Sequence, residues 1–600
     1  MNSINFYKLR LKFLPPESRA ELFLRTLYHR FVSTKLLVKW QQAKVQQSYT
    51  QWRAEQLKKG SPATGHRGLK PKVTFALAIG RNDLNQAVAT IQSIQKLHIS
   101  NWEILLITEG EGPLSLGFPP DVLGDPRLKP VILTPSNRTK WFGIISGEFI
   151  IHCVAGDIFF NTLISYFYRS LNSFPSADVY YYDCEFKQDN SSRILPFFKP
   201  AKLSPELLLS VNYLSRSLIR KASIEHLIEK ADPLADLLDQ EYRFINQLVE
   251  EKAVFEHIAQ VLISQSLHPQ ANDELLGKMV NSHISKYGFN GVVVEKTATT
   301  RRIHWKTREP SIAIVIPTKN HWTRLKTLLD SISSLTDYPN YSINLVDNGS
   351  SEKEVSRYYS ELEKKPNVKI IHYDKEFNYS EAINLGVKSS DSELVLLLNN
   401  DMKVVDSQWL RELTQWALLP EVGVVGGKLL HTNKTIQHAG IVIGMQGFMG
   451  HLYLNAPDHY FGLLGSVDWY RNVSAVTGAC QMMRRSVFIE LGGYDEEYQL
   501  VFSDIQFCLR AIQKGYRNLY NPFVALIHYQ GQSRGYQTPI KDIARAYEQW
   551  EEWLQHDDPY FSPNLTYTNI PQCQLESMDP NERYQRVVAR RDMVLKQFKT

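Results

Sequence analysis

The chain has 600 residues, too many for one hydrophobic core, and its 43% hydrophobic and 22% charged content is ordinary for a soluble globular protein. Its five cysteines (Cys153, Cys184, Cys480, Cys508 and Cys573) form no CxxC pair, which argues against a zinc site or disulfide framework and suits a reducing cytoplasm. The net charge of +6 hides an asymmetry: residues 1–70 hold 14 Lys/Arg against three glutamates, a net +11 that leaves the rest of the chain at −5.

In this basic segment, Leu22, Phe23, Leu27, Phe31, Leu36, Leu37 and Trp40 fall at roughly helical intervals. Two readings stand. Residues 1–60 are a basic amphipathic helical extension lying on an anionic membrane surface, or a helical arm packing on the body of the protein. Nucleic acid is not expected as a partner, because no binding motif accompanies the charge. No apolar run approaches the ~20 residues of a spanning helix, and the N-terminus lacks the order of a signal peptide. The expected location is cytoplasmic, with a peripheral seat on the inner face of the plasma membrane under the first reading.

An internal repeat follows. Pro71–Gly110 and Pro310–Gly349 align without a gap. In each, an apolar run (Val73–Ile79, Ile312–Ile316) leads into a helical stretch; in the second copy Leu325, Leu328, Leu329 and Ile332 mark one helical face. A second apolar run, Ile104–Gly110 or Ile343–Gly349, ends in a turn. This is the βαβ unit of a parallel sheet with strands buried on both faces. Gly147–Cys153 (GEFIIHC) corresponds further on to Ser392–Leu398 (SELVLLL). The chain therefore predicts two tandem α/β domains, roughly 71–292 and 293–555, after an extension over 1–70 and before a tail over 556–600. His304 to Pro310 is the expected linker.

In open parallel sheets, ligands bind beyond the carboxyl ends of the strands, and the second copy places three polar sets there. Val346-Asp347-Asn348-Gly349-Ser350 is either an ordinary Asp-Asn-Gly turn or an aspartate offered to a nucleobase or ribose. Leu394–Leu398 runs into Asn399-Asn400-Asp401, either a polar strand exit or a carboxylate for Mg²⁺ or Mn²⁺ against a diphosphate. Asp504 opens a helix with Phe507, Leu509 and Ile512 on its buried face, and is either a cap or a base for an acceptor hydroxyl. His528 follows the apolar Phe523–Ile527; a lone histidine there is more often structural.

Together these residues carry a resemblance. The second copy resembles the family 2 glycosyltransferases of the GT-A fold, in the rhamnosyltransferase-like and O-antigen biosynthesis branch. The resemblance runs through IVIPTKN (314–320), VDNGS (346–350), FNYSEAINLGV (377–387), LLLNNDM (396–402), IQHAG (436–440), RNVSAVTGAC (471–480), GGYDEE (492–497), DIQFCLR (504–510) and HYQGQSRG (528–535). It implies two tandem GT-A domains, Rossmann-like and mostly parallel in sheet. It implies that Pro317, Asp347, Asn348, Asn378, Asn384, Asn399, Asn400 and Asp401 bind the nucleotide-sugar. Asp401 and His528 would hold Mg²⁺ or Mn²⁺, Asp504 would be the catalytic base, and Thr477, Gly478 and Ala479 would form the loop beside acceptor and sugar. One departure stands out: the second acidic position on the base helix is Gln506.

The first copy resembles the N-terminal module of tandem proteins in this branch, yet Thr108-Glu109-Gly110 replaces the Asp-Asn-Gly turn. Val154-Ala155-Gly156 stands at the metal motif with only Asp157 beside it, and Glu241 and Arg243 replace two aspartates. It is expected to keep the fold without catalysis, unless Glu109, Glu241 or Asp157 composes a divergent site. The leading expectation is an inverting, metal-dependent transferase moving a sugar from a UDP- or dTDP-sugar, dTDP-rhamnose among them, to a growing cell-surface or lipid-linked glycan. The alternatives are a non-catalytic scaffold of a polysaccharide assembly complex, and a nucleotidyltransferase, which would want a Gly-rich loop where Pro317-Thr318-Lys319-Asn320 stands.

Overall fold

The computed structural model describes residues 48–56, 58, 68–109, 117–134, 140–187, 194–228, 237–266, 272–529, 538–567, 575 and 580–599. The chain forms two compact units: Val45–Ser282 with Leu463–Gly465, and His283–Gly462 with Ser466–Thr600. Each is built on one mixed sheet, of nine strands in the first unit and ten in the second among the described residues.

The two sheets repeat one another strand for strand. The first runs Leu128–Leu133, Trp102–Glu109, Val73–Ala78, Phe149–Val154, Leu218–Arg220, Val179–Lys187, Phe255–Gln265, Ile158–Phe159. The second runs Val368–His372, Tyr341–Asp347, Ile312–Thr318, Leu394–Leu398, Cys480–Arg484, Val422–Leu430, Arg517–His528, Met402–Val404. Counted in chain order over these eight strands of each sheet, both follow 3-2-1-4-7-6-8-5. Strand directions match as well: the 1-2, 2-3, 1-4 and 6-8 neighbours are parallel, and the 4-7, 6-7 and 5-8 neighbours antiparallel. The two tandem α/β domains expected from the repeat are present, on the GT-A-like fold that the resemblance implies. The sheets are mixed rather than mostly parallel, because further antiparallel strands add to the shared path of four parallel and three antiparallel pairs.

Strands Ile312–Thr318 and Leu394–Leu398 are buried at every residue, as their unbroken apolar runs require. Helix Trp322–Leu335 turns Leu325, Leu328, Leu329 and Ile332 into the core. Helix Tyr379–Lys388 lies so close to the sheet that a Cβ on Gly386 would stand 2.3 Å from Val315 Cγ1, so only glycine fits there. That approach fixes the helix bearing Tyr379 and Asn384 over the strand ends.

The expected boundary at 292 falls inside strand Asn290–Lys296, which pairs with Arg301–Lys306. The linker expected from His304 to Pro310 likewise begins within this hairpin; Arg302 Nε holds Glu412 at 2.7 Å and Gln415 bonds Ile303. The side chains of the hairpin, not a free segment, carry the chain into its second sheet. The tail contains helix Pro580–Lys599, packed through Val587 and Val594, with Arg583 on Asp557.

Of the basic extension, helix 48–56 is described, and it packs on the first unit. Tyr49 and Trp52 are buried edge-on to Phe198, and Arg53 pairs with Glu185 at 2.9 Å. The apolar residues from Leu22 to Trp40 lie outside the described residues. No described helix is long and apolar enough to cross a membrane. Cys153, Cys184, Cys480 and Cys508 are buried free thiols; Cys573 lies outside the described residues.

Candidate active site

The ends of the first, second and fourth strands of the second sheet meet at Thr318. Its carbonyl accepts from Asn348 N at 3.0 Å, and its hydroxyl accepts from the Asn400 amide at 3.0 Å. Pro317 sits one residue earlier, in register with Val346. Asp347 ends its strand and is 4% exposed. Its carboxylate accepts from Ser350 Oγ at 2.5 Å, Tyr359 OH at 2.8 Å and Ser350 N at 3.1 Å. The turn reading is therefore realised, with Gly349 at φ +65°. A carboxylate has about four acceptor positions, and these bonds occupy three of them.

Asp401 lies one residue before strand Met402–Val404, which pairs antiparallel to the eighth strand with Met402 opposite His528. That register sets His528 Nε2 at 3.2 Å from Asp401 Oδ1, with both side chains over nine-tenths buried. Burial alone would raise the Asp401 carboxyl; the hydrogen bond and charge of His528, with the charge of Arg324, hold it below the usual carboxylate range. Adjacent ligands about 2.1 Å from an octahedral cation stand about 3 Å apart, so this oxygen and nitrogen fit a divalent ion between them. The far ring nitrogen, Nδ1, meets Gln437 Oε1 at 3.2 Å.

Asp504 is the second residue of helix Ser503–Gln513 and not its N-cap, a place taken by Phe502. Phe502 has φ +75°, unusual for a bulky side chain, and is wedged edge-on against Phe448 and Trp550. Asp504 Oδ2 accepts from Gly478 N at 2.7 Å and Oδ1 from Ile505 N at 2.9 Å. A Cβ on Gly478 would lie 3.1 Å from both Asp504 Cβ and Tyr494 OH, which explains glycine there. Thr477 and Ala479 flank it: Thr477 N points at His438 Nε2 (3.4 Å), and the Ala479 carbonyl accepts from Asn399 N at 3.1 Å. Tyr379 OH bridges Asn399 Oδ1 (3.3 Å) and the Gly478 carbonyl (3.4 Å). Asn399 and the Thr477–Ala479 loop that holds Asp504 thus form one continuous rim.

Three amides from the expected donor set are used within the fold. Asn348 donates to the carbonyls of Tyr373 and Lys375. Asn378 caps helix Tyr379–Lys388 through Glu381 N and donates to the Glu496 carbonyl. Asn384 holds Tyr494 through both its nitrogen and oxygen and reaches Glu496 Oε1 at 2.8 Å. Asn378 and Asn384 thus brace the GGYDEE loop, and Asn348 holds the segment after strand Val368–His372. Tyr379, Arg324, Gln437, His438 and Phe502 were not singled out by the sequence reading, because their type is common and only the tertiary fold aims them.

In the first unit, Asp157 lies one residue before strand Ile158–Phe159, as Asp401 does before its own. Its partner is an internal arginine, Arg216, whose backbone N also donates to Glu241 Oε1 at 2.8 Å. Glu109 is the exposed last residue of the otherwise buried strand Trp102–Glu109. A second acidic group, Asp458, His459 and Asp468, encloses the Lys428 ammonium at 2.7 and 3.0 Å from Asp458 and Asp468, so a lysine already serves as its cation.

Residues 313–492 match the family described as glycosyl transferase family 2. The O-antigen biosynthesis protein RfbC of Myxococcus xanthus is 33% identical over 66% of this chain, which spans 32% of that relative's length. The N-acetylglucosaminyl-diphospho-decaprenol L-rhamnosyltransferase of Mycobacterium tuberculosis is 24% identical over 37% of this chain and 78% of its own. Among solved structures, the mannosyltransferase PcManGT from Pyrobaculum calidifontis, in complex with GDP-Man and Mn²⁺, is similar at 14% identity and a TM-score of 0.32, over 54% of this chain and 83% of that one. Residues 313–492 of the second unit thus carry a family 2 glycosyltransferase domain, and the chain is similar to proteins named for O-antigen biosynthesis and rhamnosyl transfer.

Proposed function

We propose that the second unit transfers a sugar, with inversion, from a UDP- or dTDP-sugar to a hydroxyl of a growing surface or lipid-linked glycan. A rhamnose donor is favoured by the name of the mycobacterial relative. The observation that carries this reading is the Asp401–His528 pair, an oxygen and a nitrogen 3.2 Å apart at the strand ends, with Asn399 of the same motif on one rim with Asp504. Mg²⁺ or Mn²⁺ bound there supplies positive charge against the departing diphosphate.

The residues of the chain do the rest. Asp347 takes the nucleoside side of the donor, Pro317 and Asn400 its floor, and Asn399 and Asp401 the ribose and phosphate side. Asn348, Asn378 and Asn384 shape this surface from behind. Asp504, held by two backbone N–H groups, takes the proton of the acceptor hydroxyl. That oxygen then bonds the anomeric carbon as the bond to the diphosphate oxygen breaks on the opposite face, so the configuration inverts without a covalent enzyme intermediate. Thr477, Gly478 and Ala479 flank the acceptor. The first unit contributes a folded platform and no transfer site, and the basic extension over residues 1–60 gives the chain its hold on an anionic membrane through the part ahead of the packed helix 48–56.

A panel of UDP-, dTDP- and GDP-sugars with Mn²⁺ or EDTA tests this on wild type, Asp401→Ala and Asp504→Asn. Turnover should require the metal and vanish in both variants, while donor binding survives Asp504→Asn. Absence of metal-dependent donor binding in the wild type would instead favour the scaffold.

A further inference from the structure

The motif Ile436-Gln437-His438-Ala439-Gly440 has no role in the transfer just described, yet the fold aims it at the site. Strand Ile436–His438 pairs with Val422–Leu430, Leu430 opposite Ile436 and Leu429 opposite His438. Gln437 is therefore the extra residue of a β-bulge. Bulges of this kind re-aim a side chain beside a functional site, at the cost of an interrupted ladder. Gln437 is 3% exposed, and its Oε1 lies 3.2 Å from His528 Nδ1. The next residue, His438, is fully buried; its Nδ1 meets His451 Nδ1 at 2.8 Å and its Nε2 faces the N–H groups of Gly440 and Thr477. These bonds leave the strand little freedom to swing.

We propose that Gln437 is a positioning residue for the metal ligand His528, an inference that rests on the metal reading above. A neutral imidazole carries one N–H and one lone pair. In the absence of a cation Nε2 bonds Asp401; when a cation takes that place, the Gln437 carbonyl oxygen accepts the ring proton at Nδ1 and leaves the Nε2 lone pair for the metal. Without that acceptor the tautomer with its proton on Nε2 is favoured and the pair stays closed to a cation. Outer partners of this type commonly change metal affinity 10–100-fold.

The test compares Mn²⁺ binding by electron paramagnetic resonance, alone and with UDP, in wild type, Asp401→Ala, Gln437→Met and Gln437→Glu. Methionine keeps the length of the side chain and removes the acceptor; glutamate keeps the acceptor. Gln437→Met should bind Mn²⁺ at least tenfold more weakly, and Gln437→Glu should restore binding to near the wild-type value. A role confined to stability would lower the melting temperature and leave Mn²⁺ affinity unchanged, and that outcome overturns the proposal. Should Gln437→Met fail to fold, ¹⁵N spectra of wild-type imidazoles with Mg²⁺ and UDP decide instead. The His528 signals, identified by their loss in His528→Gln, should show the proton on Nδ1; a proton on Nε2 overturns the proposal. A wild type that binds no Mn²⁺ under either condition overturns the metal reading and this inference together. Wild-type binding lost in Asp401→Ala but intact in Gln437→Met removes this inference alone.

Discussion

Arg216 Nε and Asp157 Oδ2 meet at 2.9 Å with neither side chain exposed to solvent. Asp157 is the carboxylate of the first unit that occupies the topological place of Asp401. Arg216 Nη1 also donates to Ser215 Oγ at 2.6 Å, and Ser215 in turn donates to Glu241 Oε2 at 3.0 Å. Arg216 has φ +65°, a strained backbone kept in place by these bonds. The acids retained by the first copy therefore face an internal cation where the second copy offers Asp401 and His528. Removing one member of a buried pair leaves the other charge uncompensated, at a cost of about 3–5 kcal/mol. Arg216→Met should destabilise the first unit by about that amount in chemical denaturation, and pairing it with Asp157→Leu should recover part of the loss. Titration of the wild type with Mn²⁺ should give one site per chain, abolished by Asp401→Ala. A second site that survives that change would locate a metal in the first unit.

Gly478 gives a sharper test of the base. Its N–H holds Asp504, and an added Cβ would press on Asp504 Cβ and on the Tyr494 hydroxyl at 3.1 Å each. Gly478→Ala should shift the carboxylate by a few tenths of an ångström without emptying the donor site. General-base contributions run to about 10²–10⁴-fold, and misplacement forfeits part of that. We expect kcat to fall at least about tenfold with the KM for the donor little changed. Equal kcat in the variant would remove Asp504 from the proton transfer.

How much of this was legible beforehand follows from which interactions are local. The repeat, the buried strands and the strand-end placement of Asp347, Asp401 and His528 follow from apolar runs and their exits, because strand periodicity is written residue by residue. The meeting of Asp401 with His528 is different. It depends on Met402 pairing with His528 across 125 intervening positions, a register that spacing alone does not encode. Arg216 escaped notice for a related reason. Its sequence neighbourhood is an unremarkable turn, and only the tertiary fold brings Asp157 and Glu241 to it. Asn384 shows the reverse: its motif was visible, but its amide serves Tyr494 and Glu496.

His152 predicts an acid-sensitive first unit. It is fully buried in the fourth strand, edge-on to Trp141, and neither ring nitrogen has a hydrogen-bond partner among the described residues. Burial, with the charge of Arg216, pushes it down to about 3. The unfolded chain therefore takes up a proton near pH 6.5 that the folded unit refuses until about pH 3. Stability is fully present above pH 6.5 and is lost as pH falls between those values, at up to about 1.4 kcal/mol per pH unit. His152→Phe should flatten the pH dependence of the first unfolding transition between pH 6.5 and 4. An unchanged slope would place the sensitivity in other groups, such as His438 and His451 of the second unit, which burial also pushes down.

Gln506 stands where a second acidic residue was expected on the base helix, and its carbonyl oxygen accepts from Trp550 Nε1 at 2.7 Å. The Trp550 ring is fully buried, stacked on Phe448 and edge-on to Phe502, the strained residue that begins the helix of Asp504. Gln506 thus belongs to the support of that helix, and the amide supplies an acceptor of the right length. Aspartate would be too short to reach Trp550, leaving a buried N–H unsatisfied at about 1–3 kcal/mol. Gln506→Asp should therefore lower the melting temperature and give no gain in kcat, while Gln506→Glu keeps the acceptor and should retain stability. Trp550→Phe keeps most of the packing and should lose only the bond. Trp550→Ala frees Phe502 to relax, so its kcat should drop beyond that of Trp550→Phe. Should the two tryptophan variants turn over alike, the aromatic wedge has no part in aiming Asp504.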